Sequence, residues 1–106
     1  MAYDEGVAER VRALLDMDDF EQKKMFGGLA FLLNGNMCCG VIDGNVVLRL
    51  GNEGADAALE DPNVSEMDFT GKPIRSMVYL DGGVSDAELE EWVADAVAFT
   101  EMLPEK

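Results

Sequence analysis

The chain has 106 residues, 48% of them hydrophobic, and carries 22 acidic against 8 basic residues for a net charge of −14. That length fits one globular domain whose core holds the fold without disulfides. The acids concentrate in residues 52–106, which carry 14 acids and 3 bases, and such a surface repels a phosphate backbone. Composition therefore argues against direct binding of nucleic acid and leaves two interpretations of the acids, solubility or a basic protein partner.

Three further signals indicate a cytoplasmic protein that does not enter a membrane. No apolar run approaches the roughly 20 residues that cross a bilayer, and the N-terminus lacks the basic and apolar segments of a signal peptide. The only cysteines, Cys38 and Cys39, are adjacent, and neighbours on a regular strand point to opposite faces, so they do not pair without strain. We expect no disulfide, no cofactor and no metal.

The first predicted element is a helix over residues 4–16 with Asp4 as its N-cap, because apolar residues recur there at helical spacing. A short strand or an extended lead-in follows at residues 20–26. Gly27-Gly28 then interrupts the chain as a bulge or bend.

A meander of three strands follows, over residues 29–33, 36–42 and 45–50. Its turns are Asn34-Gly35 and Asp43-Gly44. Both are strong hairpin signals, because Asn, Asp and Gly readily adopt the positive φ that a two-residue turn requires.

The next segment predicts a short helix and a loop. Asn52 is the expected cap of a helix over residues 53–60, and Asp61-Pro62 ends it. Residues 63–73 have the composition of a loop, with one short strand at Met67–Phe69 and a turn at Thr70–Pro73.

The last segment predicts a strand over Ile74–Leu80, a turn at Asp81–Gly83 and a long helix. Ser85 and Glu88 have the spacing of a capping box, and an apolar stripe continues to about residue 102. Taken together, the elements predict an α+β fold of two layers, with an antiparallel sheet covered on one face by helices.

The two tight turns predict which residues share a face of the meander. One face is entirely apolar and should meet the helices; it carries Ala30, Leu32, Met37, Cys39, Val41, Val46, Leu48 and Leu50. The other mixes apolar and polar residues. It carries Phe31, Cys38, Val47 and Arg49, which we interpret as a self-association or partner surface. The alternative is that another element of the same chain covers this mixed face.

Lys23-Lys24 is the only basic pair in the chain, and with Arg49 and Arg75 it is a candidate site for a small anionic ligand. The alternative is the solvated side of a strand. Gly27-Gly28 would let a backbone approach a ligand closely, although a simple bend explains it as well. Cys38 beside Arg49 is a candidate redox thiol or an inert small hydrophobe.

Two runs of the sequence resemble the N-terminal domain of the TfoX/Sxy family. The first is Lys23-Lys24-Met25-Phe26-Gly27-Gly28-Leu29-Ala30-Phe31, and the second is Met67-Asp68-Phe69-Thr70-Gly71-Lys72-Pro73. The resemblance continues through Leu33–Met37, Cys39–Val41, Val47–Arg49 and Val78-Tyr79, and so covers essentially the whole chain.

The resemblance implies a secretion-chaperone-like fold with the order α-β-β-β-α-β-β-α, often dimeric. It also implies a regulator of natural competence that works with a cyclic-AMP-responsive activator. It supplies no catalytic residues. Full-length regulators of this kind resemble this domain followed by a second domain. We expect this chain to be a stand-alone copy of the first domain that ends at Lys106, and this expectation puts the competence role in question.

Three functions compete at this stage. The first is a non-enzymatic regulatory domain that acts by protein contact as a homodimer. The second is a binder of small anionic ligands through Lys23, Lys24 and Arg49. The third, an enzyme, is the weakest because the chain has no histidine and shows no nucleophile paired with a base.

Overall fold

The computed structural model describes residues 3–16, 18–25, 27–69 and 72–105. Its elements in chain order are α1 (Glu5–Arg12), β1 (Phe20–Met25), β2 (Gly28–Leu33), β3 (Asn36–Ile42), β4 (Asn45–Arg49), α2 (Gly51–Ala58), β5 (Val64–Phe69), β6 (Lys72–Asp81) and α3 (Asp86–Glu101). None of these helices is both long enough and apolar enough to cross a membrane.

The six strands form one antiparallel sheet in the order β1-β2-β3-β4-β6-β5. The α+β fold class predicted from the sequence is confirmed. The segment at residues 20–26 supplies a full strand, β1, so four strands precede α2 where the family resemblance implied three. The strands β1 and β5 are the two edges of the sheet.

All three helices bury their apolar residues against the same face of the sheet. The main core combines their inward side chains with those of β2, β3, β4 and β6. Its helical members are Val7, Ala8 and Val11 from α1, Ala55 and Ala58 from α2, and Leu89, Val93 and Ala96 from α3. The opposite face of the sheet carries a second, smaller apolar cluster without a described helical residue.

Two helix starts follow the local signals in the sequence. The carboxylate of Asp4 accepts hydrogen bonds from the backbone N–H groups of Gly6 and Val7, at 2.8 and 3.2 Å. The hydroxyl of Ser85 accepts one from the N–H of Glu88 at 3.2 Å. Both side chains satisfy N–H groups that have no partner within the helix, so the predicted caps are confirmed.

Three local predictions were wrong in their limits. The helix expected over residues 4–16 ends at Arg12. The helix expected at residues 53–60 begins at Gly51, with Leu50 rather than Asn52 as N-cap, because Gly51 takes a φ of 78° that lets the chain turn directly out of β4. The short strand predicted at Met67–Phe69 is present but longer, because the edge strand β5 already starts at Val64, which is buried opposite Leu80 in the segment expected to be a loop. Thr70 and Gly71 of the predicted turn lie outside the described residues.

Candidate functional site

A β-bulge between β2 and β3 decides which residues face the helices. Leu33 lies opposite Asn36, as the Asn34-Gly35 turn predicts, but Phe31 lies opposite Cys39 instead of the expected Cys38. Cys38 is therefore an extra residue on β3, and both cysteines belong to the core on the helix side. The bulge therefore places Ala30, Phe31 and Leu32 of β2, and Met37 of β3, on the side of the sheet opposite to the predicted one.

The mixed face predicted from the sequence is consequently wrong. Phe31 and Cys38 are fully buried under the helices, whereas Ala30, Leu32 and Met37, expected in the core, lie on the other face. Val47 and Arg49 do lie on the helix-free side, as predicted, since Arg49 is opposite Met77 of the second cluster. Two of the pairs predicted for β4, Ile42 with Asn45 and Gly40 with Val47, are found because no bulge interrupts β3 and β4 between them, whereas the predicted pair of Cys38 with Arg49 is absent.

The side of the sheet without helices carries a cluster of apolar side chains that is the main candidate for a functional site. We name this cluster and its side of the sheet the open face. Ala30, Met37, Val47 and Met67 of this face are buried, at most 9% exposed. The other apolar members are half-buried. The full set is Ala30, Leu32, Met37, Ile42, Val47, Met67, Ile74, Met77 and Tyr79. Partly exposed apolar side chains gathered on a side of the sheet that carries no described helix are typical of an interaction site.

Arg49 is a half-buried charged side chain at this face. Its Nη1 donates to the backbone carbonyl of Met37 at 3.3 Å. Its Nε is buried and has no hydrogen-bond partner among the described residues. A buried donor without an acceptor typically costs about 1–3 kcal/mol, so an acceptor brought by a bound molecule would relieve this penalty.

The lysine pair is divided by the sheet. Lys23 lies opposite Ala30 and so belongs to the open-face side, whereas Lys24 lies opposite Leu29 and belongs to the helix side. Both are exposed. Arg49 stands three strands away on β4, about 14 Å from β1 at the usual strand spacing of roughly 4.8 Å. The structure therefore does not gather Lys23, Lys24 and Arg49 into one small pocket.

The two glycines before β2 have a structural explanation. Gly27 has a φ of 74° in the turn between β1 and β2. A Cβ on Gly28 would lie 2.3 Å from the carbonyl oxygen of Val41, so only glycine fits there. The bend predicted for this pair is confirmed. Phe26, the neighbouring candidate, lies outside the described residues.

The adjacent thiols of Cys38 and Cys39 interact inside the core. A hydrogen bond from Cys39 lowers the pKa of Cys38 against the effect of burial, and Thr100 and the charge of Arg49 lower it further. The same hydrogen bond and complete burial raise the pKa of Cys39 well above its usual value. Both thiols are inaccessible to solvent, which favours the packing role over the redox role for each.

Sequence reasoning missed the part of the open face that β5 and β6 supply. Met67, Met77 and Tyr79 belong to it, and the alternation of Met77, Val78, Tyr79 and Leu80 is the signal that could have located it. Among the described residues, no group of three or more His, Cys, Asp and Glu side chains could hold a metal ion.

Comparison with known proteins gives one family. The family model described as the TfoX N-terminal domain matches residues 12–100. The matched range runs from the end of α1 to the last turn of α3, and it includes the whole sheet. No curated protein and no solved structure matches the chain.

Proposed function

This chain belongs to the TfoX N-terminal domain family, and from that membership we propose that it is a non-enzymatic domain acting by protein contact. At the level of the family it is a competence-related regulatory domain. The finer proposal is that it works in the cytoplasm as a homodimer, binds a protein partner through the open face, and does not contact nucleic acid itself.

The open face is the observation that carries this proposal. Nine apolar side chains cluster on the side of the sheet that the described helices leave uncovered. Among them Met77 is half-buried, and the flexible side chain of a methionine suits a surface that adapts to another protein. The charge of −14 supports the absence of DNA contact, because counterion release from phosphates requires basic residues.

Arg49 supports a partner that supplies an acceptor. Its buried Nε has no acceptor among the described residues, and its position opposite Met77 places it beside the apolar cluster. A carboxylate or carbonyl of a partner would satisfy the guanidinium while apolar side chains cover Met77 and Tyr79.

A capture experiment tests the open face. Wild-type bait is compared with Met77→Glu, which adds a charge on the open face, and with Ala94→Glu, which adds the same charge on the exposed side of α3. A charge buried in an interface is costly, so Met77→Glu should reduce the captured partner by at least about tenfold. Ala94→Glu should capture as wild type does.

Two outcomes would contradict the proposal. One is equal capture by the Met77→Glu bait after circular dichroism has shown that it is folded. The other is a clear electrophoretic shift of random duplex DNA by the wild-type protein at physiological salt.

The second candidate, binding of a small anion, keeps one observation in its favour, the unpartnered Nε of Arg49. A thermal-shift screen with carboxylate and phosphate metabolites tests it, since a ligand at 100 times its Kd stabilises the fold by about 2.7 kcal/mol. A hit should be lost in Arg49→Gln. No stabilisation across a broad panel would reject this candidate.

A further inference from the structure

The outer edge of β1 is an unused row of backbone hydrogen-bonding groups. β1 stands at the end of the sheet and pairs only with β2 among the described strands. Its residues Glu21, Gln22, Lys23 and Lys24 are all exposed. Such an edge can add another strand, and proteins often place lysines there to prevent it.

The strand β1 contains both an acid and lysines, so an acid of one copy can lie opposite a lysine of a second copy. This charge pattern allows β1 to pair with itself. Glu21 and Lys23 are two positions apart and therefore point to the same side of the sheet. Neither takes part in an ion pair within the described residues. The strand carries one acid and two bases, so it is a positively charged element in a chain of net charge −14.

Symmetry allows few registers for such a pair. In an antiparallel pair, two residues that face each other either both point their backbone N–H and C=O groups at the other strand or both point them away. Two identical strands therefore pair about a residue that faces itself. With Glu21, Lys23 or Lys24 on the two-fold axis, a charge faces the same charge. With Gln22 on the axis, neutral amides meet and Glu21 faces the partner's Lys23 on both sides of it.

We infer that two copies of this chain associate through β1, with Gln22 on the two-fold axis, and form one continuous antiparallel sheet of twelve strands. The two Glu21–Lys23 pairs lie on the open-face side, since Glu21 is opposite Leu32 and Lys23 is opposite Ala30. Lys24 then lies opposite the partner's Phe20. The inference rests on the proposed homodimer and names its interface.

On the helix side of β1, a hydrogen bond within the chain already orients the side chain of Gln22. The Nε of Arg12 in α1 donates to the side-chain oxygen of Gln22 at 3.0 Å. That bond fixes the amide of Gln22 and leaves its nitrogen as a donor toward the partner's Gln22. Two such amides facing each other across the axis can bond as stacked glutamines do in paired strands.

The other edge of the sheet does not offer the same fit. β5 carries Glu66 and Asp68 without a lysine, so self-pairing would bring acids together. Its pairing with β6 also shifts register between these two residues, which interrupts a regular edge. Association through β1 moreover leaves the open faces of both copies uncovered and side by side for a partner.

Charge reversal tests the pairing and its register. The dimer is measured by sedimentation equilibrium from micromolar to millimolar concentration for the wild type, Glu21→Lys, Lys23→Glu and the double variant. Each single reversal places like charges opposite each other at two symmetric points, which should weaken the dimer by about tenfold or more. The double variant restores both pairs and should return to about the wild-type affinity.

Net charge is controlled within this set. Glu21→Lys makes the chain less acidic, Lys23→Glu makes it more acidic, and the double variant keeps the charge of −14. Weakening by both single variants with rescue by the double supports the inference. A dimer that is unchanged in both single variants, or a wild type that stays monomeric throughout, overturns it.

A cross-link locates the axis independently. Facing residues of an antiparallel pair have Cα atoms about 4.5–5.5 Å apart, within the range of a disulfide. Gln22→Cys should therefore form a covalent dimer readily with diamide as oxidant. Lys24→Cys is the control, since two copies of Lys24 would be about 13 Å apart along the strands. Equal cross-linking of the two variants would overturn the register.

The open-face variant separates this inference from the proposed function. Met77→Glu should keep the dimer and lose the captured partner. The β1 reversals should lose the dimer as measured by sedimentation. A dimer that Met77→Glu abolishes and the β1 reversals leave intact would overturn the β1 interface while supporting contact through the open face.

Discussion

Phe31 of β2 lies opposite Cys39 of β3, which makes Cys38 the extra residue of a β-bulge and turns the Phe31 ring into the core under the helices. Phe31 is fully buried there. Its aromatic ring also lies 6.0 Å from the guanidinium carbon of Arg12 in α1, which adds a cation–π contact between sheet and helix. This orientation makes Phe31 a residue of stability rather than of recognition.

We predict that Phe31→Ala lowers the free energy of unfolding by about 3–5 kcal/mol, because it removes a large ring and leaves a cavity in the main core. Urea denaturation followed by circular dichroism measures this. Leu32→Ala is the matched control on the neighbouring, half-buried position of the open face, and it should cost clearly less. A larger loss for Leu32→Ala would contradict the orientation of β2.

The sequence predicts the two hairpin turns correctly but does not predict the bulge between them. The Asp43-Gly44 turn predicts that Ile42 faces Asn45 and Gly40 faces Val47, and both pairs are found. Asn34-Gly35 likewise fixes Leu33 opposite Asn36. Turn chemistry is local, so the residues themselves specify it.

The position of the bulge is set by tertiary packing instead. Cys38 and Cys39 are both small enough to fit under the helices, and no glycine or turn signal marks the extra residue. The bulge places Ala30 and Phe31 on the faces opposite to those predicted. Together with Cys38, Phe31 is half of the predicted interface that the structure moves into the core. Val47 and Arg49 were placed correctly because β4 pairs regularly with β3 and β6, whereas Met67 lies on β5, of which the sequence predicted only Met67–Phe69 as a strand.

Gly28 gives a second stability prediction. A methyl group at Gly28 would lie 2.3 Å from the backbone oxygen of Val41, and a backbone atom cannot move aside as a flexible side chain would. Gly28→Ala should therefore separate β2 from β3 and destabilise the fold by at least about 1–3 kcal/mol.

Gly44→Ala is the control, because a Cβ there meets no atom within 4 Å and the residue does not have a positive φ. It should leave the melting temperature within a few degrees of the wild type. Equal melting temperatures for the two variants would contradict the close approach of the strands at Gly28.

The cysteine pair predicts how stability depends on pH. The hydrogen bond with Cys38 and, after it, burial raise the pKa of Cys39 well above the usual 9.0. Because the folded pKa is above the unfolded one, the contribution of Cys39 is fully present below pH 9 and is lost as the pH rises further. In a Cys38→Ala background, where burial still acts on Cys39, the free energy of unfolding should fall from neutral pH to pH 10.

The double variant with Cys38→Ala and Cys39→Ala provides the comparison. It should show a smaller fall over the same pH interval, since the thiol that the unfolded chain ionises is absent. Urea denaturation in matched buffers measures both series. Parallel pH profiles would mean that Cys39 ionises as easily in the folded protein as in the unfolded chain.

Arg10 joins α1 to the segment that leads into α3, and it gives the last prediction. Its Nη1 and Nη2 donate to the backbone oxygens of Gly82 and Val84 at 2.7 and 2.5 Å, and its Nε bonds to the carboxylate of Asp86 at 2.9 Å. The carboxylate is 90% exposed, so that ion pair contributes little. The two carbonyl bonds are part-buried and should contribute most of the stabilisation.

We therefore expect Arg10→Ala to cost about 2–3 kcal/mol and Asp86→Ala to cost less than about 1 kcal/mol. Arg10→Lys keeps the charge but cannot reach both carbonyls with a planar fork, so it should recover only a small part of the loss. Chemical denaturation of the three variants separates geometry from charge. If Arg10→Lys were as stable as the wild type, charge alone would hold α1 to this segment, and the paired carbonyl contacts would have no role in its stability.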